Sequence, residues 1–200
     1  MEKLKLTAHI KDIELKNKMY KVIDKANSCL KNYDIKATEF LNPFEVKNAI
    51  DILNSESDLK YKVDGGYENA ERQLIYIFPY YIEEDDVESD LRVIQIEGNF
   101  KFKAISHRDY LGALMALGLE RDKLGDLRVN DDYAIVPVYE ELADYICTEL
   151  KLVNKAPVKV CEIFEEDLPK ANFKEETIII PSLRLDNFVS KLSNVSRGKA

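Results

Sequence analysis

The chain has 200 residues, 46% of them hydrophobic and 33% charged, which is enough apolar content for a packed core and too much for a disordered chain. Its net charge of −8 means that nucleic-acid binding cannot be read from bulk charge and must rest on local cations. Three scattered cysteines (Cys29, Cys147, Cys161), two distant histidines (His9, His107) and no apolar run near the ~18–20 residues of a membrane span point to free thiols, no metal, no cofactor and a cytoplasmic protein.

Residues 8–33 repeat apolar side chains at helical spacing, from Ile10 and Ile13 through Met19, Val22, Ile23 and Ala26 to Leu30, with lysines opposite; this is an amphipathic helix. LNPFEVKNAIDIL opens a second one. Asn42 is a suitable N-cap, Pro43 suits the first helical position, and Glu45 can close a capping box. LKYKV and RQLIYIF are strand-like and are joined through DGGYENAE, where Gly65-Gly66 marks a turn. Residues 1–82 therefore form a small helical and hairpin domain. EEDDVESD, residues 83–90, holds six acids and no base and is expected as a solvated linker; it lacks the glycine and ligand alternation of a calcium loop.

From Leu91 the pattern changes. LRVIQIEG and NFKFKAI alternate on either side of Gly98-Asn99 and suggest a hairpin. A helix follows from Ser106, then DLRV and YAIVPV as strands, a helix from Glu140 to Leu152, and PVKVCEIF as a closing strand. Over 91–170 this is the βαββαβ order of ferredoxin-like and RNA-recognition domains, in an overall α+β fold. From residue 177 a short apolar strand leads into a basic helix.

SHRDYLGALMALGLERDKLGDLRV, residues 106–129, holds the densest chemistry. Its His-Arg-Asp matches a kinase catalytic loop. However, the fifth residue after Asp109 is Leu114 rather than the magnesium-binding Asn, and no glycine-rich loop or Asp-Phe-Gly is present. The local reading is stronger: Ser106 caps a helix, Asp109 closes the capping box, and Gly118 serves the left-handed C-terminal position. Gly112 interrupts the helix at a cost of ~1 kcal/mol relative to alanine, which suggests a close approach by backbone or ligand. His107 and Arg108 have no local duty and sit where the helix favours anions. Arg184-Leu185-Asp186 matches the catalytic Arg-Leu-Asp of pseudouridine synthases, but Asn187-Phe188-Val189-Ser190 follows where those enzymes have a Thr-Ser-Gly turn.

Residues 106–126 closely resemble the YlmH family run Ser-His-Arg-Asp-x-Leu-Gly-Ala-Leu-Met leading to Leu-Gly-x-x-Arg-x-x-x-Gly-Asp, and GGYENAER at 65–72 resembles that family's Gly-Gly-Tyr-x-x-Ala-Glu-Arg. The tail from 177 to 200 is similar to the start of an S-four-type RNA-binding module, with Arg184-Leu185-Asp186 and then Ser196-Arg197; the rest of that module is expected beyond Ala200. The resemblance implies a non-catalytic RNA-binding protein of the large ribosomal subunit. Its implied partners are ribosomal RNA, tRNA and ribosome-rescue factors, and its implied role is ribosome-associated quality control. A monomer is expected. Two other readings stand beside it: an RNA-modifying enzyme using Asp186 or His107, and a scaffold linked to cell division. The RNA-contacting residues it implies are Arg184, Arg197 and Lys199. Lys191 joins them by helical spacing, and His107 and Arg108 by their place at the helix start. The middle sheet lacks the Gly-Phe-x-Phe pattern that stacks bases. Tyr133, Phe100 and Phe102 are its only candidates, and the sheet is expected to pack on the N-terminal domain instead.

Overall fold

The computed structural model describes residues 1–100, 105–164, 168, 177–196 and 198. Met1–Leu168 form one compact unit and Pro169–Ala200 a second. The first unit begins with a single turn, α1 (Lys3–Leu6), and the long helix α2 (Ile13–Asn32). The sequence pattern started this helix at residue 8. It starts later because the Asp12 carboxylate accepts from the Leu15 N–H at 2.7 Å and fixes the N-cap there. β1 (Lys36–Ala37) follows, then α3 (Pro43–Leu53), β2 (Leu59–Asp64) and β3 (Leu74–Pro79). The Asn42–Glu45 capping box is fully formed.

β1, β3 and β2 make a three-stranded antiparallel sheet with β3 in the middle. Ile75 and Ile77 face α2 and α3, packing on Met19, Ile23, Ala26 and Ile52. Leu74, Tyr76 and Phe78 face the other way and join Phe40, Val87, Leu91 and Tyr139. A strand buried on both faces is a continuous apolar run, and LIYIF is one.

The second sheet contains β4 (Leu91–Gly98), β5 (Arg128–Val129), β6 (Tyr133–Tyr139), β7 (Leu152–Val153) and β8 (Ala156–Ile163), with α4 (His107–Ala116) and α5 (Glu140–Glu149) between strands. Its order is β5-β6-β4-β8-β7, with every neighbouring pair antiparallel. Ile94, Ile96, Ala134, Val136 and Val138 point to α4 and α5, against Tyr110, Leu114, Ala143 and Ile146. The opposite face carries Leu91 and Tyr139, which belong to the cluster shared with the N-terminal sheet. The second sheet thus lies between its own helices and the first domain.

Two expectations are corrected and a third is sharpened. β4 does not pair with the segment after Gly98, because β6 and β8 occupy both of its edges along its length; residues 101–104 lie outside the described residues. The acidic stretch 83–90 is exposed at every residue but Val87, and it is anchored as well. It makes a 3-10 turn at Glu84–Asp86, buries Val87 in the core, and Lys62 Nζ donates to the Val87 carbonyl at 2.8 Å. Residues 177–184 are not a strand; the tail's described regular element is α6 (Leu185–Leu192).

Candidate nucleic-acid interface

The two motifs that stand out in the sequence, 65–72 and 117–129, meet in space. Gly66 has φ +81°, and a Cβ there would lie 2.7 Å from the Pro137 Cβ on β6, so only glycine lets the hairpin touch the second sheet. The Tyr67 hydroxyl donates to the Asp126 carbonyl at 3.1 Å. The Arg128 guanidinium lies 3.9 Å from the Tyr67 ring centroid and donates to the Glu68 carbonyl at 3.1 Å. The Asp126 carboxylate accepts from the backbone N–H groups of Glu71 and Arg72.

Arg72 is the centre of the joint. It donates to the carbonyls of Phe40 at 3.0 Å, Leu124 at 3.3 Å and Arg121 at 3.4 Å. Arg121 donates to Leu124 at 2.6 Å and Gly125 at 3.0 Å. The Arg121 carbonyl also accepts from the Leu124 N–H at 3.3 Å, and the two guanidiniums supply further donors to the carbonyls along this segment. Burial, reinforced by the neighbouring Arg72 charge, holds Arg121 below the ordinary arginine range. Gly125 completes the contact: its N–H donates to the Pro137 carbonyl at 2.8 Å, and a Cβ would come within 3.0 Å of both Phe40 and Pro137. Burial pushes the Tyr67 phenol up to about 12. This chemistry fastens one domain to the other and leaves few donors for a ligand.

The sheet face that RNA-recognition modules use for base stacking is largely spoken for. Leu91, Pro137 and Tyr139 are buried beneath the first domain. Phe100 is not a stacking residue: it is buried in the helix-side core, with its ring 6.0 Å from Tyr110 in an edge arrangement. Phe102 lies outside the described residues. Tyr133 is half-buried at the start of β6, opposite Glu97.

α4 starts as the sequence implies. Ser106 caps it, Asp109 closes the box, and Gly118 follows with φ +87°. His107 and Arg108 are exposed on its first turn and make no hydrogen bond or ion pair among the described residues. At Gly112 a Cβ would meet nothing within 4 Å among the described residues, so no described backbone requires the glycine. The structure adds a cation that sequence reasoning missed. Asn154 Nδ2 donates to Asp109 Oδ1 at 2.9 Å, which pins the β7–β8 turn to the start of α4. Asn154 and Lys155 both have positive φ, at 47° and 68°, the geometry of a two-residue hairpin turn, and Lys155 is thereby brought to the same end as His107 and Arg108. The VNKA sequence holds a weak turn signal, but nothing in it indicates this docking.

In the second unit, Arg184 is held by Asp186 through two contacts, Nε to Oδ1 at 3.0 Å and a terminal nitrogen to Oδ2 at 3.3 Å. Lys191 is exposed in the last turn of α6. Arg197 and Lys199 lie outside the described residues. Among the described residues, no group of three or more His, Cys, Asp or Glu is placed to hold a metal, and no helix is long and apolar enough to cross a membrane.

Residues 83–167 match the family model described as "Putative RNA-binding domain in YlmH", and residues 14–82 match "YlmH, N-terminal". The chain is similar to "Ribosome-associated protein quality control protein P2" of Bacillus subtilis (strain 168), at 32% identity over 170 residues; these are 84% of this chain and 66% of that protein, just under two thirds of its length. It is also similar to a solved structure, "Cell division protein ylmH from Streptococcus pneumoniae", with a TM-score of 0.65 at 20% identity, over 79% of this chain and 96% of that one. At that identity the likeness concerns the fold.

Proposed function

The chain belongs to the YlmH family, and on that premise we propose that it is a non-catalytic RNA-binding protein that works on the ribosome. The observation that carries this is the match of residues 83–167 to an RNA-binding domain, read with the ribosome-associated name of the Bacillus subtilis relative. The finer reading is contact with large-subunit ribosomal RNA and tRNA during quality control of stalled ribosomes. The strand order β5-β6-β4-β8, with α4 and α5 on one face, supports the ferredoxin-like type for this domain. In the tail, a helix that opens on Arg184-Leu185-Asp186 supports the start of an S-four-type module.

The first domain covers one end of the stacking face and no exposed aromatic pair lies on it among the described strand residues, so binding runs through phosphates rather than bases. Two groups of cations carry it: His107, Arg108 and Lys155 at the start of α4, and Arg184, Lys191, Arg197 and Lys199 in the tail. His107 acts as a phosphate donor, with no part in acid–base chemistry. Arg184 must exchange its Asp186 partner for phosphate.

Filter binding to large-subunit ribosomal RNA and to tRNA across a salt series tests this. Arg108→Ala/Lys155→Ala and Arg184→Ala/Lys191→Ala should each weaken binding on every RNA and lower the salt slope by about 1 for each phosphate that is no longer neutralised. Asp186→Asn should tighten it. Affinities and slopes equal to wild type in all three variants would remove these residues from the interface.

A further inference from the structure

β8 is the feature that the RNA reading leaves unused. It is eight residues long, but its outer neighbour β7 has only two, paired at Leu152–Pro157 and Val153–Ala156. The Val158 N–H donates outward to the Lys151 carbonyl at 3.0 Å. Strand alternation then points the N–H and C=O of Val160 and Glu162 outward as well, past the end of β7. Neither strand pairing nor any other backbone hydrogen bond among the described residues occupies those four groups. An edge of this length is normally shortened, bulged or covered. The other edges here are short or flanked: β1 and β5 have two residues each, and beside β2 the Lys60 and Lys62 side chains hold the Ile82 and Val87 carbonyls.

The open end of β8 runs into a groove of about 840 Å³ between the β2–β3 hairpin and the second sheet. Val93, Ile163 and Phe164 give it an apolar part. Among its described lining residues the charges are Asp64, Glu68, Glu140 and Glu162 against a single cation, Arg92. That cation is already engaged by Glu140 and by Glu162, the latter at 3.3 Å. The groove therefore repels phosphate and favours a cationic occupant. A second copy of this chain fits poorly. Each copy carries −8, and antiparallel pairing of β8 with itself about Val160 or Cys161 sets Glu162 opposite valine and Lys159 opposite Cys161 or Ile163, with no opposite charge.

We propose that β8 is an acceptor edge for strand addition, and that its ligand is an extended lysine- or arginine-rich segment of another protein. The segment's backbone pairs with Val160 and Glu162, and its basic side chains enter the acidic groove. The surface is separate from the cationic end of α4, so a protein partner and an RNA partner can be held together.

The test is fluorescence anisotropy of the chain with a labelled eight-residue peptide of alternating lysine and valine, blocked at both ends. Val160→Pro removes an outward donor without touching the ladder to β4, since proline is tolerated on an edge. It should weaken binding at least tenfold with an unchanged circular dichroism spectrum. Glu68→Lys/Glu162→Lys should do the same. A fully N-methylated copy of the peptide keeps its charge and loses its donors, and it should fail to bind the wild-type chain, which tests the edge even where Val160→Pro misfolds. An eight-residue oligouridylate should not compete. The proposal is overturned by equal binding of the N-methylated peptide, by displacement with oligouridylate, or by a dimer in sedimentation that Val160→Pro dissociates.

Discussion

Replacing Arg72 by methionine keeps the apolar stem and removes the guanidinium from the joint between the domains. Three donor contacts disappear, to Phe40 at 3.0 Å, Leu124 at 3.3 Å and Arg121 at 3.4 Å. A hydrogen bond from a charged donor contributes about 1.5–3 kcal/mol, and a buried acceptor left dry costs about 1–3 kcal/mol. Two of the contacts are long and the side chain is half-buried, so the lower end applies and the sum is about 2–4 kcal/mol. For a unit of this size that is a fall in Tm of about 5–15 °C. Urea unfolding followed by circular dichroism measures it, since the chain has no tryptophan. Arg72→Lys should rescue little, because a point charge cannot reach carbonyls in three directions as the planar fork does. With the joint weakened, the transition should also broaden or split as the domains uncouple. A loss below about 0.5 kcal/mol, the level of an ordinary surface substitution, with a single sharp transition, would refute the reasoning.

Two glycines make a matched pair. Gly66→Ala meets both a left-handed φ and the Pro137 ring and should cost about 2–5 kcal/mol from backbone strain and overpacking. Gly112→Ala fills open space on a helix and should stabilise by about 1 kcal/mol; thermal melts of both variants check the contrast. Alkali should destabilise the fold. Burial raises the Cys29 thiol from 9.0 to about 11, and the Tyr67 and Tyr110 phenols from 10.0 to about 12. The folded state therefore disfavours ionisation that the unfolded chain permits. These contributions are complete below about pH 9 and are lost as pH rises from there through the folded values, so urea midpoints measured from pH 8 upward should fall. In the native protein at pH 8, iodoacetamide should spare Cys29, which is buried and holds its proton, and modify the half-exposed Cys161 first.

The sequence was most legible where a local rule decides the structure. Asn42 with Glu45, and Ser106 with Asp109, are capping boxes because three-residue spacing alone lets side chain and backbone reach each other. LIYIF read correctly as a strand, but not as one buried on both faces, since an apolar run says nothing about what covers it. The segment after Gly98 looked like a hairpin partner because alternation is a property of one strand. That β6 and β8 take both edges of β4 is decided by residues 36–70 positions away, and no local pattern carries that information. The acidic stretch is exposed as its charge implies, but its anchoring by one apolar residue, Val87, was not legible. Lys155 escaped notice because its place depends on a bond between Asn154 and Asp109, 45 residues apart.

The family motif at 65–72 and the later part of the one at 106–126 hold the fold, whereas the residues proposed to hold RNA lie at the start of α4 and in the tail. A phosphate needs donors that are exposed and can be released to it without opening the fold. Arg72 and Arg121 spend five hydrogen bonds on loop carbonyls, and Arg128 is stacked on Tyr67. Moving any of them to a ligand would open the joint at the cost worked out for Arg72. His107, Arg108 and Lys155 can turn to a phosphate without opening the fold, because the helix beneath them is already capped by Ser106 and Asp109. A substitution in the joint should therefore lower stability and leave RNA affinity unchanged wherever the chain is still folded, whereas one at the start of α4 should lower RNA binding alone. Measuring both quantities on Arg72→Met and Arg108→Ala separates the roles. If Arg72→Met loses RNA affinity at a temperature where it is still fully folded, the joint itself touches RNA and the division is wrong.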